Sequence, residues 1–314
     1  LATDKGLRQL DGLDAAQQPD HRRACRPFAE NCGFTIAESA QVVVLFDDEL
    51  AMQLGATVLG AATDVFVNAD GHKKSISGPG VGNYITMAKA VAAARAIVGE
   101  RAVRHNGLVQ AHGTGTPQNR TSESEILSQT ARAFGIEQWP VSAVKSYLGH
   151  SLGCASGDQI NATLGMWKYG IIPGIATVED FAGDVRQDGL AFSTTHRQVD
   201  PEEMAYAVVN SKGFGGNNAS ATLLSPVVTR KMLRARYAAA EWQAWESANE
   251  AVRERQQAYD DAMIAGAVDP VYKFDHGVLQ DSDVDLGPRQ LSIGGETVSL
   301  DLASPYDDMQ IDGI

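Results

Sequence analysis

Two histidines and a lysine carry the chemistry that can be read from this chain. His112 sits in Gln110-Ala-His-Gly-Thr-Gly-Thr-Pro117, and Lys145 and His150 sit in Val144-Lys-Ser-Tyr-Leu-Gly-His-Ser-Leu-Gly153. Imidazoles so placed could ligate a metal, move a proton or donate N–H groups to an oxyanion. The metal reading is weakest. Zinc asks for further ligands at suitable spacing, whereas here the histidines are far apart in sequence and a cation accompanies one of them. Two neutral imidazoles aimed at one oxygen would stabilise an enolate or a tetrahedral oxyanion, and losing one such donor typically costs about 10²–10³ in rate.

Both motifs need the same support: a strand-type approach, a glycine-flanked His, then a helical pattern. Leu108–Ala111 and Val141–Val144 read as strands, and Ser122–Phe134 and Gly157–Tyr169 as the helices that follow. Gly113, Gly115, Gly149 and Gly153 let the backbone pass close to a ligand. Upstream, Leu1–Arg26 reads as loop with one helical turn. Gln41–Phe46 reads as a buried strand, Asp47–Leu54 as a short helix, Thr57–Val67 as a second strand region, Gly71–Gly80 as loop and Tyr84–Val98 as an Ala-rich helix. Downstream, Ala205–Asn210 and Ala219–Leu224 form a strand pair around Gly213–Asn218. Strands alternating with helices imply an α/β layered fold.

Beyond Pro226 the composition shifts. Thr229–Ala265 is charged and Ala-rich, a helix or helical hairpin whose Trp242, Trp245 and Tyr259 read as docking residues. Gln290–Ile293 and Thr297–Leu300, joined across Gly294-Gly295, read as a hairpin. The acidic end, Asp307–Ile314, reads as surface. The expected organisation is a body over 1–226, a helical extension over 227–268 and an extended hairpin tail over 269–314.

With 314 residues, 44% hydrophobic and 21% charged, the chain can bury a large core. The balance of 26 Lys+Arg against 39 Asp+Glu, a net charge of -13, argues against a nucleic-acid surface. Cys25, Cys32 and Cys154 are odd in number and lack metal-type spacing, so a reducing cytoplasm is the expected setting. No apolar run is long enough to span a bilayer. The chain enters at Leu1 without an initiator Met, and the expectation is the C-terminal part of a longer protein.

Three segments, His112–Pro117, Lys145–Gly153 and Asn210-Ser-Lys-Gly-Phe-Gly-Gly-Asn-Asn218, resemble the C-terminal signature motifs of the β-ketoacyl-acyl carrier protein synthases. These are the condensing enzymes of fatty-acid and polyketide synthesis. Gly33–Glu38 followed by Val42–Val44 is similar to the segment that precedes the first His motif, and the resemblance covers about Leu1 to Pro226. Arg230–His276 resembles the C-terminal extension of the large fungal-type synthase domains and of bacterial FabY-like initiating synthases.

The resemblance implies the C-terminal half of a thiolase-like αβαβα fold, a homodimer, and no metal or organic cofactor. It implies acyl carrier protein as partner, with malonyl-carrier protein and an acyl-carrier protein or acyl-CoA as substrates. It implies that His112 and His150 hold the thioester carbonyl and the enolate left by loss of CO₂, and that Lys145 orders them through Glu123. Thr114 and Thr116 would touch the phosphopantetheine arm. Phe214, flanked by Gly213 and Gly215, would gate the acyl and malonyl pockets. Turn capping for the threonines, an ordinary first-turn acid for Glu123 and plain packing for Phe214 are the alternative readings.

Departures from the family pattern are Arg120 for a usual Asp, Lys212 for a common Phe and Asn217 for a common Thr. The family's nucleophilic Cys belongs to the N-terminal half, and none of the three cysteines here has its context. A non-catalytic partner subunit of the chain-length-factor kind and a thiolase-type acyl transferase are the rival readings. Arg22, Arg23, Lys73 and Lys74 are the basic residues available to an acidic carrier protein.

Overall fold

A computed structural model describes residues 1–71, 80–269, 274–305 and 307–309. Lys73 and Lys74 lie outside the described residues, as do most of the 71–80 loop and most of the acidic end. The chain opens with α1 (Asp4–Leu10), a full helix where the sequence suggested one turn; the Thr3 side chain caps it by accepting from Gly6 N–H at 3.1 Å. Then come α2 (Asp48–Gln53), β1 (Ala61–Ala69), α3 (Val81–His105), β2 (Gly107–Gln110), α4 (Pro117–Phe134) and β3 (Trp139–Ser142). They are followed by α5 (Lys145–Leu148), α6 (Ala155–Tyr169), β4 (Ile171–Ile172), β5 (Leu190–Ala191), β6 (Arg197–Gln198), β7 (Tyr206–Gly213) and β8 (Asn217–Leu224). Last are α7 (Pro226–Arg236), α8 (Ala239–Ile264), β9 (Val284–Leu286), β10 (Gln290–Ile293) and β11 (Glu296–Ser299).

Six strands form one sheet in the order β1-β8-β7-β2-β3-β5. β2 runs parallel to both β3 and β7, whereas β8 is antiparallel to β7 and β1. Three parallel neighbours therefore release the chain at the same edge, where ligands of α/β sheets bind. That edge receives all three motifs.

Side-chain alternation along the strands shows that both faces are covered. Val109 and Val208 join Met87, Val91, Ile126 and Leu127 under α3 and α4, while Leu108, Ala207 and Val209 join Met166 and Trp167 under α6. Each fully buried side chain of this size contributes about 1.5–3 kcal/mol. α3 continues past the expected Val98 to His105, across a break at Gly99 where φ is +81°.

The sequence expectation of a strand over Gln41–Phe46 is not met. The segment pairs with no strand among the described residues, and Val42 and Leu45 are 90% and 73% exposed. An apolar run signals burial, but a strand needs a neighbour to share its hydrogen bonds, and none is present among the described residues.

Packing divides the chain into two units, Leu1–Glu254 and Arg255–Ile314. The extension is a pair of helices broken at Tyr237, the second of which runs across the boundary, and in the first unit Trp242 and Trp245 lie tilted with ring centroids 4.7 Å apart beside Met52 and Leu233. Tyr259, farther along α8 in the second unit, is exposed. In the second unit the expected hairpin is β10–β11, with Gly294 and Gly295 at φ of +57° and +91°, and β9 adds a third strand.

Candidate active site

β2 ends at Gln110, and Ala111 still donates to Ser142 O at 2.9 Å, so the chain leaves the sheet at His112. Gly113 turns it at φ +56°, and a Cβ there would meet Ala143 Cβ at 3.0 Å. Glu123, fully buried on α4, fixes this turn. Its Oε1 accepts from His112 N–H and Asn210 Nδ2, both at 2.7 Å, and its Oε2 accepts from Gly113 N–H and Asn119 Nδ2, both at 2.8 Å. Four donors fill an ionised carboxylate's acceptor sites. Gln159 Nε2 bridges Gln110 O, Ala111 O and Asn210 O, tying the ends of β2 and β7.

Lys145 begins α5 where β3 ends. Its buried Nζ donates to His112 O at 2.6 Å, so both backbone polar groups of His112 are held by charged side chains. Burial pushes this ammonium down from 10.5 to about 8, against the opposing pull of Glu123.

His150 follows Gly149, whose φ of +77° ends the short helix. Its N–H donates to Thr35 O at 2.7 Å, and Leu152, held at φ +58°, turns its N–H onto His150 Nδ1 at 3.2 Å. Nδ1 is thus an acceptor, which places the proton of the neutral ring on Nε2. The two imidazoles meet edge to face with centroids 5.1 Å apart and planes at 83°. Burial first, then the Lys145 charge, lowers His150 to about 4, and the same causes hold His112 well below the usual imidazole range. Both rings are neutral at physiological pH.

They line a cavity of about 660 Å³ together with Thr114, Thr116, Phe34 and Phe214. Gly213 also lines it; Gly215 does not, although its φ of +80° helps form the turn that carries Phe214. Lys145 and Glu123 lie behind the histidines. Sequence reasoning did not single out Asn119, Asn210 or Gln159, because a buried amide has no distinctive spacing signal. Arg120 does not disturb Glu123. Its guanidinium turns to Asp184 and Glu30, at 2.8 and 3.0 Å. Asn217 braces the turn that carries Phe214 by donating to Phe214 O at 3.3 Å.

None of the three cysteines lines the cavity; Cys25 is buried, and burial raises its thiol. Among the described residues no cluster of three His, Cys, Asp or Glu side chains could hold a metal, and no helix is long and apolar enough to cross a membrane. Arg23 is engaged with Glu179 and Thr177 O, while Arg22 is exposed.

Residues 59–179 match the beta-ketoacyl synthase C-terminal domain. The chain is 52% identical over 296 residues to beta-ketoacyl-[acyl-carrier-protein] synthase FabY of Pseudomonas aeruginosa, covering 94% of this chain and 46% of that protein. It is 29% identical to 3-oxoacyl-[acyl-carrier-protein] synthase 2 of Vibrio harveyi, covering 66% and 48%. The crystal structure of the noncanonical ketosynthase FabY from P. aeruginosa superposes with a TM-score of 0.87 at 48% identity, covering 99% of this chain and 48% of that one. The chain therefore spans about half the length of the relatives it matches. Its sheet and covering helices are those of the thiolase-like ketosynthase fold. Over residues 59–179 the chain carries the C-terminal domain of the β-ketoacyl synthases.

Proposed function

We propose that this chain forms the decarboxylating half of the active site of a β-ketoacyl-acyl carrier protein synthase in fatty-acid synthesis. The carrying observation is the pair of neutral imidazoles set edge to face at one wall of the cavity, with the backbone of His112 held by Lys145 and Glu123. Imidazole N–H groups donate to the thioester oxygen of malonyl-carrier protein. The bond from the α-carbon to the carboxylate breaks, CO₂ leaves, and the electron pair becomes an enolate held by His112 and His150. That carbon then attacks an acyl thioester on cysteine and releases the thiolate, giving a β-ketoacyl product. The thioester is its own electron sink, so the chemistry asks for no cofactor.

The acylated cysteine would come from the part of the relatives' length that this chain does not span. Residues 1–226 would form the ketosynthase part, 227–268 a helical extension and 269–314 a tail, in a cytoplasmic homodimer. Acyl carrier protein would be the partner, an acyl-carrier protein or acyl-CoA the primer, and Thr114 and Thr116 would meet the carrier's arm.

The test is malonyl-thioester decarboxylation by the intact protein. His112→Ala and His150→Ala should each lower the rate by about 10²–10³. A second reading, a subunit that binds carrier protein without turnover, takes support from the match to the ishigamide ketosynthase/chain length factor, at TM-score 0.53 and 26% identity. No decarboxylation by the unaltered protein would favour it.

A further inference from the structure

Lys212 stands next to the end of β7, opposite Asn218 on β8, and its side chain lines the same cavity as the two histidines. Its Nζ donates to Ser122 Oγ at 3.1 Å, one residue before Glu123 on α4. The surroundings make this cation unusual. Phe34, Val67, Leu152 and Phe214 supply apolar walls, and the histidines are neutral. Among the described lining residues the other charged side chain is Asp70, whose Oδ1 accepts from Asn218 Nδ2 at 2.7 Å. An ammonium against low-dielectric walls attracts an anion more strongly than one in open water. Lys212 shares this cavity with both histidines, and its charge is among those that lower His112.

We propose that Lys212 is the anion-recognition residue of this cavity, engaging the carboxylate of the donor thioester so that the pocket selects a carboxylated donor over a neutral acyl thioester. This deepens the condensing reading and rests on it. The aromatic residue common at this position could not make the contact. The carboxylate leaves as neutral CO₂, so an ammonium that binds it stabilises the bound substrate more than the transition state. The contribution therefore falls on KM, with kcat held or raised on its removal. A charge-assisted hydrogen bond of this kind corresponds to roughly a 10–100-fold change in KM.

The experiment measures decarboxylation kinetics of malonyl-carrier protein with the intact protein and its Lys212→Met and Lys212→Arg variants, and the affinity of each for acetyl-carrier protein. The expected result is a rise of about 10–100-fold in KM for Lys212→Met without a matching fall in kcat. Lys212→Arg should recover most of the loss, and acetyl-carrier affinity should not change. An unchanged KM beside a normal unaltered rate overturns the role of Lys212 and leaves the condensing reading intact. Equal weakening toward malonyl- and acetyl-carrier protein overturns it too, since the anion read would then be the carrier arm's phosphate. Absence of decarboxylation by the unaltered protein overturns the condensing reading itself, and this inference with it.

Discussion

Lys145 reaches 33 residues back along the chain to place its ammonium 2.6 Å from the carbonyl oxygen of His112. The contact joins the ends of β2 and β3 and fixes the direction in which the imidazole leaves the sheet. The lysine is 3% exposed, and its displacement from 10.5 to about 8 means the fold holds this cation at a cost of roughly 3 kcal/mol.

Lys145→Met should therefore separate activity from stability. The variant removes a buried charge but leaves His112 O without its donor, two effects of similar size and opposite sign. Urea unfolding at neutral pH should show a change within about 2 kcal/mol, while decarboxylation falls by about 10-fold or more. Below about pH 8 both the folded and unfolded chains keep the lysine proton. Above it the folded chain sheds the proton first, so the stability that depends on this group rises from pH 8 toward 10.5. The methionine variant should lack that rise. A loss of more than about 4 kcal/mol would make Lys145 a structural pillar instead.

The pH–rate profile should carry the histidines' displacement. Protonating His150 would turn a ring N–H against the N–H of Leu152, which now donates to Nδ1, and displace the ring. With His150 lowered to about 4 and His112 also held well below the usual range, the acid limb of kcat/KM for decarboxylation that follows His150 should lie near 4, and the basic limb near 8 should follow Lys145. Unfolded histidine takes its proton near 6.5, so the stability that depends on His150 should also fall as pH drops from 6.5 toward 4. An acid limb at 6.5 with unchanged stability would show that the rings are solvated as in a free peptide.

Glu123→Gln preserves shape and removes one charge, yet it should be costly. All four partners of this carboxylate are donors, so any orientation of an amide sets its NH₂ against two of them. We expect a loss of about 2–4 kcal/mol by chemical denaturation. Glu125→Gln, on the partly exposed Arg186 pair of the same helix, should cost under about 1 kcal/mol. Equal effects would deny the turn its dependence on Glu123.

Those four donors also mark where sequence reading ran out. His112, Lys145 and His150 were legible because strand-type runs, glycines and helical patterns frame them within a few residues, whereas Phe214 stood out only through the resemblance of its motif. Asn119 is four residues from Glu123, but Asn210 is 87 away and meets it only because β7 lies beside β2. Strand order is a long-range property, and local periodicity does not contain it. Gln41–Phe46 shows the converse limit. Its apolar, β-branched composition states a preference for a ladder, while the pairing depends on a neighbour elsewhere. Arg120 read only as a departure from the family pattern because sequence gives no direction to a side chain; the helix aims it at Asp184 and Glu30.

Phe214 offers the sharpest test of the gate. It sits on a turn whose Gly215 and Gly216 lie at φ of +80° and +87°, is 72% exposed and faces Phe34 across 6.4 Å. So exposed a ring contributes little to the core, and Phe214→Ala should shift stability by less than about 0.5 kcal/mol. If the ring divides acyl from malonyl pockets, its loss should leave decarboxylation within about threefold while condensation drops by about 10-fold or more, since an enolate formed beside an open gate is protonated by water before it meets the acyl group. The ratio of CO₂ released to β-ketoacyl product formed measures this directly. A ratio that stays at one in the variant would reduce Phe214 to a surface ring.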